Sequence, residues 1–211
     1  MNINTVLFDM DGTLIDTNAL IHDSFVHTLK HYGLSFTDEE ILTFNGPPLI
    51  DTFTNINPLL ADQMVETYRE HNIAQHDQYV TVFPTVKETL EELRQLGIKM
   101  AVVSAKMSLG VEQSLAFTDL RQYFDVVVSV DDVIKPKPHP EPVLKAIEQL
   151  GGSTETSLMV GDNSHDIESG NNAGVKTVGV SWSSKGETFL QQFEPTYMID
   201  EMREILKIVG V

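Results

Sequence analysis

The chain has 211 residues, 31 of them acidic and 14 basic, for a formal net charge of −17. That balance argues against nucleic acid or an anionic membrane as the main partner, because both select basic patches. The absence of cysteine excludes disulfides and a thiolate centre. No apolar run reaches membrane-span length, and Asp9 and Asp11 interrupt any signal-peptide pattern, so a cytoplasmic protein is expected.

The elements alternate along most of the chain. Short β-branched apolar runs predict buried strands at Thr5–Phe8, Ile98–Val103, Val126–Val130, Leu158–Val160 and Thr177–Val180. After the first strand, residues 16–82 break the alternation and read as helices only: Asn18–His31, Thr37–Phe44, Pro47–Asn55 and Asn57–His76. Thr17, Thr37 and Asn57 are the expected N-caps, with Pro58 in the first turn after the last of them. Asp38-Glu39-Glu40 suits a helix N-terminus, where the dipole favours negative charge. Val65 and Tyr68 read as an internal seam of this helical block. The spacing then predicts helices over Pro84–Leu96, stopped by Gly97, over Pro142–Leu150, stopped by Gly151-Gly152, and over Glu201–Val209. Strand–helix alternation favours an α/β parallel sheet with helices on both faces. The expected organisation is a core of residues 1–15 and 83–211 with an inserted all-α cap domain at 16–82.

The chemistry sits where the strands stop. Two aspartates end the first strand, in Asp9-Met10-Asp11-Gly12-Thr13; Ser104 ends the second; Asp162 ends SLMVGD, with Asp166 beyond it. Open parallel sheets bind ligands at the carboxyl ends of their strands, so these residues should converge. Lys137, in the proline-rich IKPKPHPEPVL, can add an ammonium to the same crevice, with Lys135 the competing lysine. Several carboxylates together call for a divalent cation, and a hard oxygen donor set suggests Mg²⁺. Gly12 and Thr13, in the turn after Asp9, can offer backbone N–H groups to phosphate oxygens. The set forms a clamp for a phosphoryl group in transfer, with one carboxylate as nucleophile and the other moving a proton. Taken singly, each piece is a turn, a cap or a rigid loop. Asn163 or Ser164 would cap a helix, for example. The conjunction, in this order on these strand ends, carries the reading.

These motifs resemble the haloacid dehalogenase superfamily of aspartate-nucleophile phosphatases, over essentially the whole chain. DMDGT (9–13), VVSAK with Ser104, KPHPEP with Lys137, and VGDNSHD with Asp162 and Asp166 match its four motifs, and Gly170-Asn171-Asn172-Ala173-Gly174 matches the GxxAG that follows. The resemblance implies a Rossmann-like core with a helical cap. It also implies Asp9 as nucleophile, Asp11 as general acid/base, and Ser104 and Lys137 as further catalytic residues. Mg²⁺ would be held by Asp9, Asp11 (through its backbone carbonyl) and Asp162, with Asp166 and Asn163 in support.

A narrower similarity, in HTLKHYG, NGPPLIDTF, MVGDNSHDI, VSWSSKG and EPTYMIDEM, is to the bacterial pyrophosphatases that act beside HPr kinase/phosphorylase. It implies pyrophosphate as the small anionic substrate, formed when seryl-phosphorylated HPr is dephosphorylated. Gly12, Thr13, Lys106, Gly46 and Pro47 would bind it; NGPPL and Lys106 are the expected discriminators. Phosphoglycolate phosphatases share the four motifs and are the rival reading. A non-catalytic phosphate-binding regulatory module is opposed by the completeness of the motifs, a dehalogenase would not need Asp11 and a metal, and a phosphomutase differs only in its product. His27, His31, His71 and His76 are expected to be solvated cap histidines rather than a zinc site. Trp182, Phe189 and Met198 read as packing residues.

Overall fold

The computed structural model describes residues 3–210. In chain order the elements are β1 (Thr5–Phe8), β2 (Ile15–Asp16), α1 (Asn18–His31), α2 (Asp38–Thr43), α3 (Leu49–Ile56), α4 (Ala61–Tyr79), β3 (Thr81–Val82), α5 (Val86–Gln95), β4 (Lys99–Val103), α6 (Ser108–Phe117), β5 (Val126–Val128), α7 (Glu141–Leu150), β6 (Ser157–Gly161), α8 (Ser164–Ala173), β7 (Lys176–Val180), α9 (Glu187–Gln191), β8 (Tyr197–Ile199) and α10 (Ile205–Val209). They divide into two units, Thr17–Val80 and the remainder. Asp16, Thr81 and Val82 belong with the remainder because β2 and β3 pair antiparallel as a small ribbon.

The larger unit is a six-stranded, wholly parallel sheet in the order β5-β4-β1-β6-β7-β8. Residues of β1 are buried on both faces, which is why the strand reads as an unbroken apolar run. Leu7 points to one face and packs with Ala101, Val103 and Met159 against Val143, Ala146 and Ile147 of α7. Phe8 points the other way and meets Phe124 edge-on, centroids 6.1 Å apart. The order in which strands are added reverses about β1: β4 and β5 lie to one side, β6 to β8 to the other. In such a sheet that reversal opens a crevice at the strand ends.

The helical unit has its own core. Phe25 and Leu29 of α1, Ile41 of α2, Phe53 of α3, and Met64, Val65 and Tyr68 of α4 close on one another. Phe25 lies at the centre, with the Phe44, Phe53 and Tyr68 rings 4.8–5.6 Å away. Thr37 caps α2 reciprocally: its hydroxyl accepts from the Glu40 amide at 3.2 Å and its amide donates to Glu40 at 2.8 Å.

Several local expectations change. Asn57 does not cap α4, which begins at Ala61. Instead its side chain accepts from the Leu59 amide at 3.1 Å and holds a separate turn. Thr17 stands at the head of α1, but its hydroxyl is buried without a partner. β5 ends at Val128, because Val130–Asp132 turns into a 3₁₀ helix. The terminal helix begins as a 3₁₀ turn, Met202–Glu204, before α10. His27 and His31 are exposed, but His76 is buried with Nδ1 2.8 Å from Asp77, and His71 is half-buried, stacked on His27. Trp182 packs against Phe83, and Phe189 against Phe193. Among the described residues, no helix is long and apolar enough to cross a membrane.

Candidate active site

Asp9 follows the last residue of β1, and its amide donates to Val160 O of β6 at 2.8 Å, so the sheet ladder itself fixes this carboxylate. Ser104 follows β4 in the same way, its amide bonded to Val128 O at 2.9 Å. Asp162 follows β6. Its carbonyl accepts from the buried Ser183 hydroxyl at 2.6 Å. Thus three strand ends deliver three side chains to one edge of the sheet.

Lys137 joins them from the loop before α7. Of the two candidate lysines it is the buried one, 5% exposed, whereas Lys135 lies at the surface. The loop is held from three sides. Glu141 accepts from the Ile134 and Lys135 amides, Ser169 donates to His139 O at 2.8 Å, and Asn172 donates to Pro138 O at 3.1 Å. The Lys137 ammonium then donates to Asp9 Oδ1 at 2.7 Å, Asp166 Oδ1 at 2.6 Å and Val103 O at 2.9 Å. An ammonium has three donors, and all three are used. In this state Lys137 therefore orients and neutralises Asp9 rather than offering itself to a ligand.

Asp166 is committed as well. Its second oxygen accepts from the Asn163 amide at 3.0 Å, reaching back across the first turn of α8. Asn163 thereby contributes to the site through its backbone.

Asp9, Asp162 and Asp166 present oxygens within 4.8 Å of one another. Burial dominates their electrostatics. It raises the Asp9 carboxyl from its ordinary value to about 7, the pull of Lys137 being outweighed by burial together with Asp166 and Asp11. Burial, then Asp9 and Asp166, raises Asp162 well above the usual carboxylate range. Burial works against the Lys137 charge, but Asp166 and Asp9 prevail and raise its pKa. Three acids against one ammonium leave the cluster short of positive charge, and the donors are all hard oxygens. This donor set fits a divalent cation of the Mg²⁺ kind.

The turn from Met10 to Ile15 shapes the other wall. The Gly12 amide donates to Ile15 O at 2.8 Å, and Gly12 takes φ +85°. A Cβ there would overlap the Asp162 carboxylate, so only glycine fits on both counts. Thr13 donates from its buried hydroxyl to Asp162 Oδ1 at 3.4 Å. Asp11 is turned elsewhere: its carboxylate meets Lys106 Nζ at 3.3 Å and is not among the three clustered acids. Ser104 Oγ accepts from the Lys106 amide at 3.1 Å, tying the two together.

Gly46 and Pro47 belong to the helical unit and not to the unit carrying the cluster. Pro47 there lines a cleft with Phe36, Phe44, Thr52 and Ile56. One further lysine escapes a reading by strand ends. Lys185 lies in the turn after β7, its ammonium 5.2 Å from the Phe189 ring centre. Burial lowers its pKa, opposed by the pull of Asp162 and Asp166. The only sequence signal was its place in VSWSSKG, downstream of the last motif.

This fold and these residues define the class. The family pattern of the haloacid dehalogenase-like hydrolases matches residues 6–180, and the chain belongs to that family. Among curated proteins, it is 52% identical to Pyrophosphatase PpaX of Oceanobacillus iheyensis, over all of this chain and 98% of that one. It is 49% identical to Pyrophosphatase PpaX of Bacillus mycoides, again over all of this chain and 98% of that one. Among solved structures, a protein of Bacteroides fragilis described as a haloacid dehalogenase-like hydrolase superposes with a TM-score of 0.90 at 25% identity. That match covers 96% of this chain and 99% of the other.

Proposed function

We propose that the protein hydrolyses inorganic pyrophosphate to phosphate in the cytoplasm, with Asp9 as nucleophile. The observation that carries the reaction type is the grip of Lys137 on Asp9 inside the acid cluster. Substrate identity draws its support from the full-length relatives named pyrophosphatases. On the resemblance read from the sequence, the pyrophosphate is the one released when seryl-phosphorylated HPr is dephosphorylated. The Thr17–Val80 unit would serve as the cap.

Asp9 and Asp162 would hold Mg²⁺ with the Asp11 carbonyl, while Asp166, both of whose oxygens are already bonded, supports Lys137 and the head of α8. When bound, the ion neutralises the clustered carboxylates and draws charge from the phosphoryl oxygens. Asp9 attacks phosphorus, the bond to the bridging oxygen breaks, and phosphate departs. Asp11 gives its proton to that oxygen, then takes one from the water that hydrolyses the aspartyl phosphate. The Gly12 and Thr13 amides are spent on Ile15 O and Met10 O, so these residues serve the site through Asp162 instead, Gly12 by its close approach and Thr13 by its hydroxyl. Ser104 fixes the Lys106 loop.

The test compares phosphate release from pyrophosphate and from 2-phosphoglycolate by the purified protein with Mg²⁺, using Asp9→Asn as control. A strong preference for pyrophosphate, abolished by the substitution, is expected. Preference for phosphoglycolate would keep the mechanism and overturn the substrate.

A further inference from the structure

Lys106 reaches Asp11 by a route that two residues outside the acid cluster determine. Its main chain is pinned twice: the amide donates to Ser104 Oγ at 3.1 Å, and the carbonyl accepts from the Val130 amide at 3.1 Å. Asp131, next in the chain, accepts from the Ser108 amide at 2.9 Å and from the Ser108 hydroxyl at 2.7 Å. That pair of hydrogen bonds ties the first residue of α6 to the turn after β5 and closes a short loop around Lys106.

The stem of the lysine then lies across α6 at Gly110, which is buried. A Cβ at Gly110 would stand 2.9 Å from Lys106 Cε, 3.2 Å from Cγ and 3.3 Å from Cδ. The three nearest atoms all belong to Lys106, so the lysine stem is what the missing side chain accommodates. Glycine weakens a helix interior relative to alanine. A bare site in α6 therefore needs a reason, and the lysine stem supplies one. At the end of the stem, the ammonium makes its hydrogen bond to Asp11 while about one-fifth exposed. Lys137, by contrast, has spent its donors inside the cluster.

We propose that Gly110 and Asp131 are positioning residues. They set the Lys106 ammonium beside Asp11, where it receives an anionic leaving group, and so favour a phosphorus anhydride over a phosphate ester of a neutral alcohol. This deepens the pyrophosphatase reading and rests on it. The physical reason is charge. A departing phosphate carries charge that an ammonium beside the proton donor stabilises, whereas an alcohol protonated by Asp11 leaves neutral.

The test is a double-mutant cycle with Gly110→Ala, Lys106→Ala and the pair, read as kcat and KM on pyrophosphate and on glycerol 2-phosphate. Alanine suits a helix better than glycine, so the variant should fold, and circular dichroism checks it. Gly110→Ala is expected to lower kcat on pyrophosphate roughly tenfold with KM little changed, because the charge Lys106 meets develops as phosphate leaves, and that size matches the coupling found between touching side chains. It should act much less on glycerol 2-phosphate and add nothing in the Lys106→Ala background. Asp131→Ala should move the same parameter in the same direction. Equal losses on both substrates, or an undiminished effect of Gly110→Ala without Lys106, would overturn the proposal and leave the pyrophosphatase reading standing. A wild-type protein that cleaves glycerol 2-phosphate and not pyrophosphate would overturn the reading, and this preference with it.

Discussion

A carboxylate is a poor nucleophile when protonated, and Asp9 sits in surroundings that favour its proton. Burial holds it at about 7 despite the Lys137 ammonium at 2.7 Å. Replacing it with asparagine removes the attacking oxygen while keeping shape and a hydrogen-bond acceptor for Lys137. Asp9→Asn should therefore lose activity almost completely with an unchanged circular dichroism spectrum; retained turnover would remove Asp9 from the role. Asp11 is different because its task is to move a proton. Phosphate departs more readily than an alkoxide, so Asp11→Asn should harm pyrophosphate cleavage less than cleavage of an alkyl phosphate. Equal losses measured side by side would contradict that. At Gly12, alanine would be forced into φ +85° and into the Asp162 carboxylate. Gly12→Ala is expected to abolish the thermal stabilisation that Mg²⁺ gives the wild-type protein.

At the scale of elements, the site depends on where strands stop and what ties the intervening loops. Strand ends were legible because β1, β4 and β6 finish in buried apolar stretches halted by Asp9, Ser104 and Asp162. Lys137 was legible only as one of two lysines, because its burial depends on Glu141, Ser169 and Asn172 bonding the loop from other helices. The helices α6 and α8 were not picked out by spacing. Buried positions in α6 include Gly110 and Ser114, and in α8 Ser164, Asp166 and Ser169, so neither presents a clean apolar stripe. Asn57-Pro58 looks like a helix start in sequence but forms its own turn, since the preceding helix ends at Ile56 and the chain needs those residues to reverse. The reciprocal cap at Thr37 was readable, and Thr37→Ala should cost about 1 kcal/mol of stability in denaturant unfolding.

For the whole molecule, an acidic chain of net charge −17 must create a place for an anion, and it does so locally. Lys137 offsets the buried Asp9, and Lys106, from a separate loop, brings its ammonium to Asp11 at the strand ends. The division into a sheet unit and a helical unit could be read from a break in strand–helix alternation. The β2–β3 ribbon that sets its limits could not, because each strand has only two residues. The raised Asp9 pKa has a consequence for stability. A carboxyl whose folded value lies above its unfolded one, near 3.8, contributes fully below that value and loses its contribution as pH rises through about 7. Metal-free protein should lose thermal stability across that window. Mg²⁺ should raise Tm more at pH 8 than at pH 5, where protons compete for the same oxygens.

The most direct measurement is an acid quench of the enzyme during turnover of pyrophosphate with Mg²⁺, followed by mass spectrometry of the chain. The account predicts one added phosphoryl group, mapped to Asp9 and absent from Asp9→Asn. A chain that turns over rapidly yet never carries phosphate on Asp9, under conditions that trap an acyl phosphate, would contradict it.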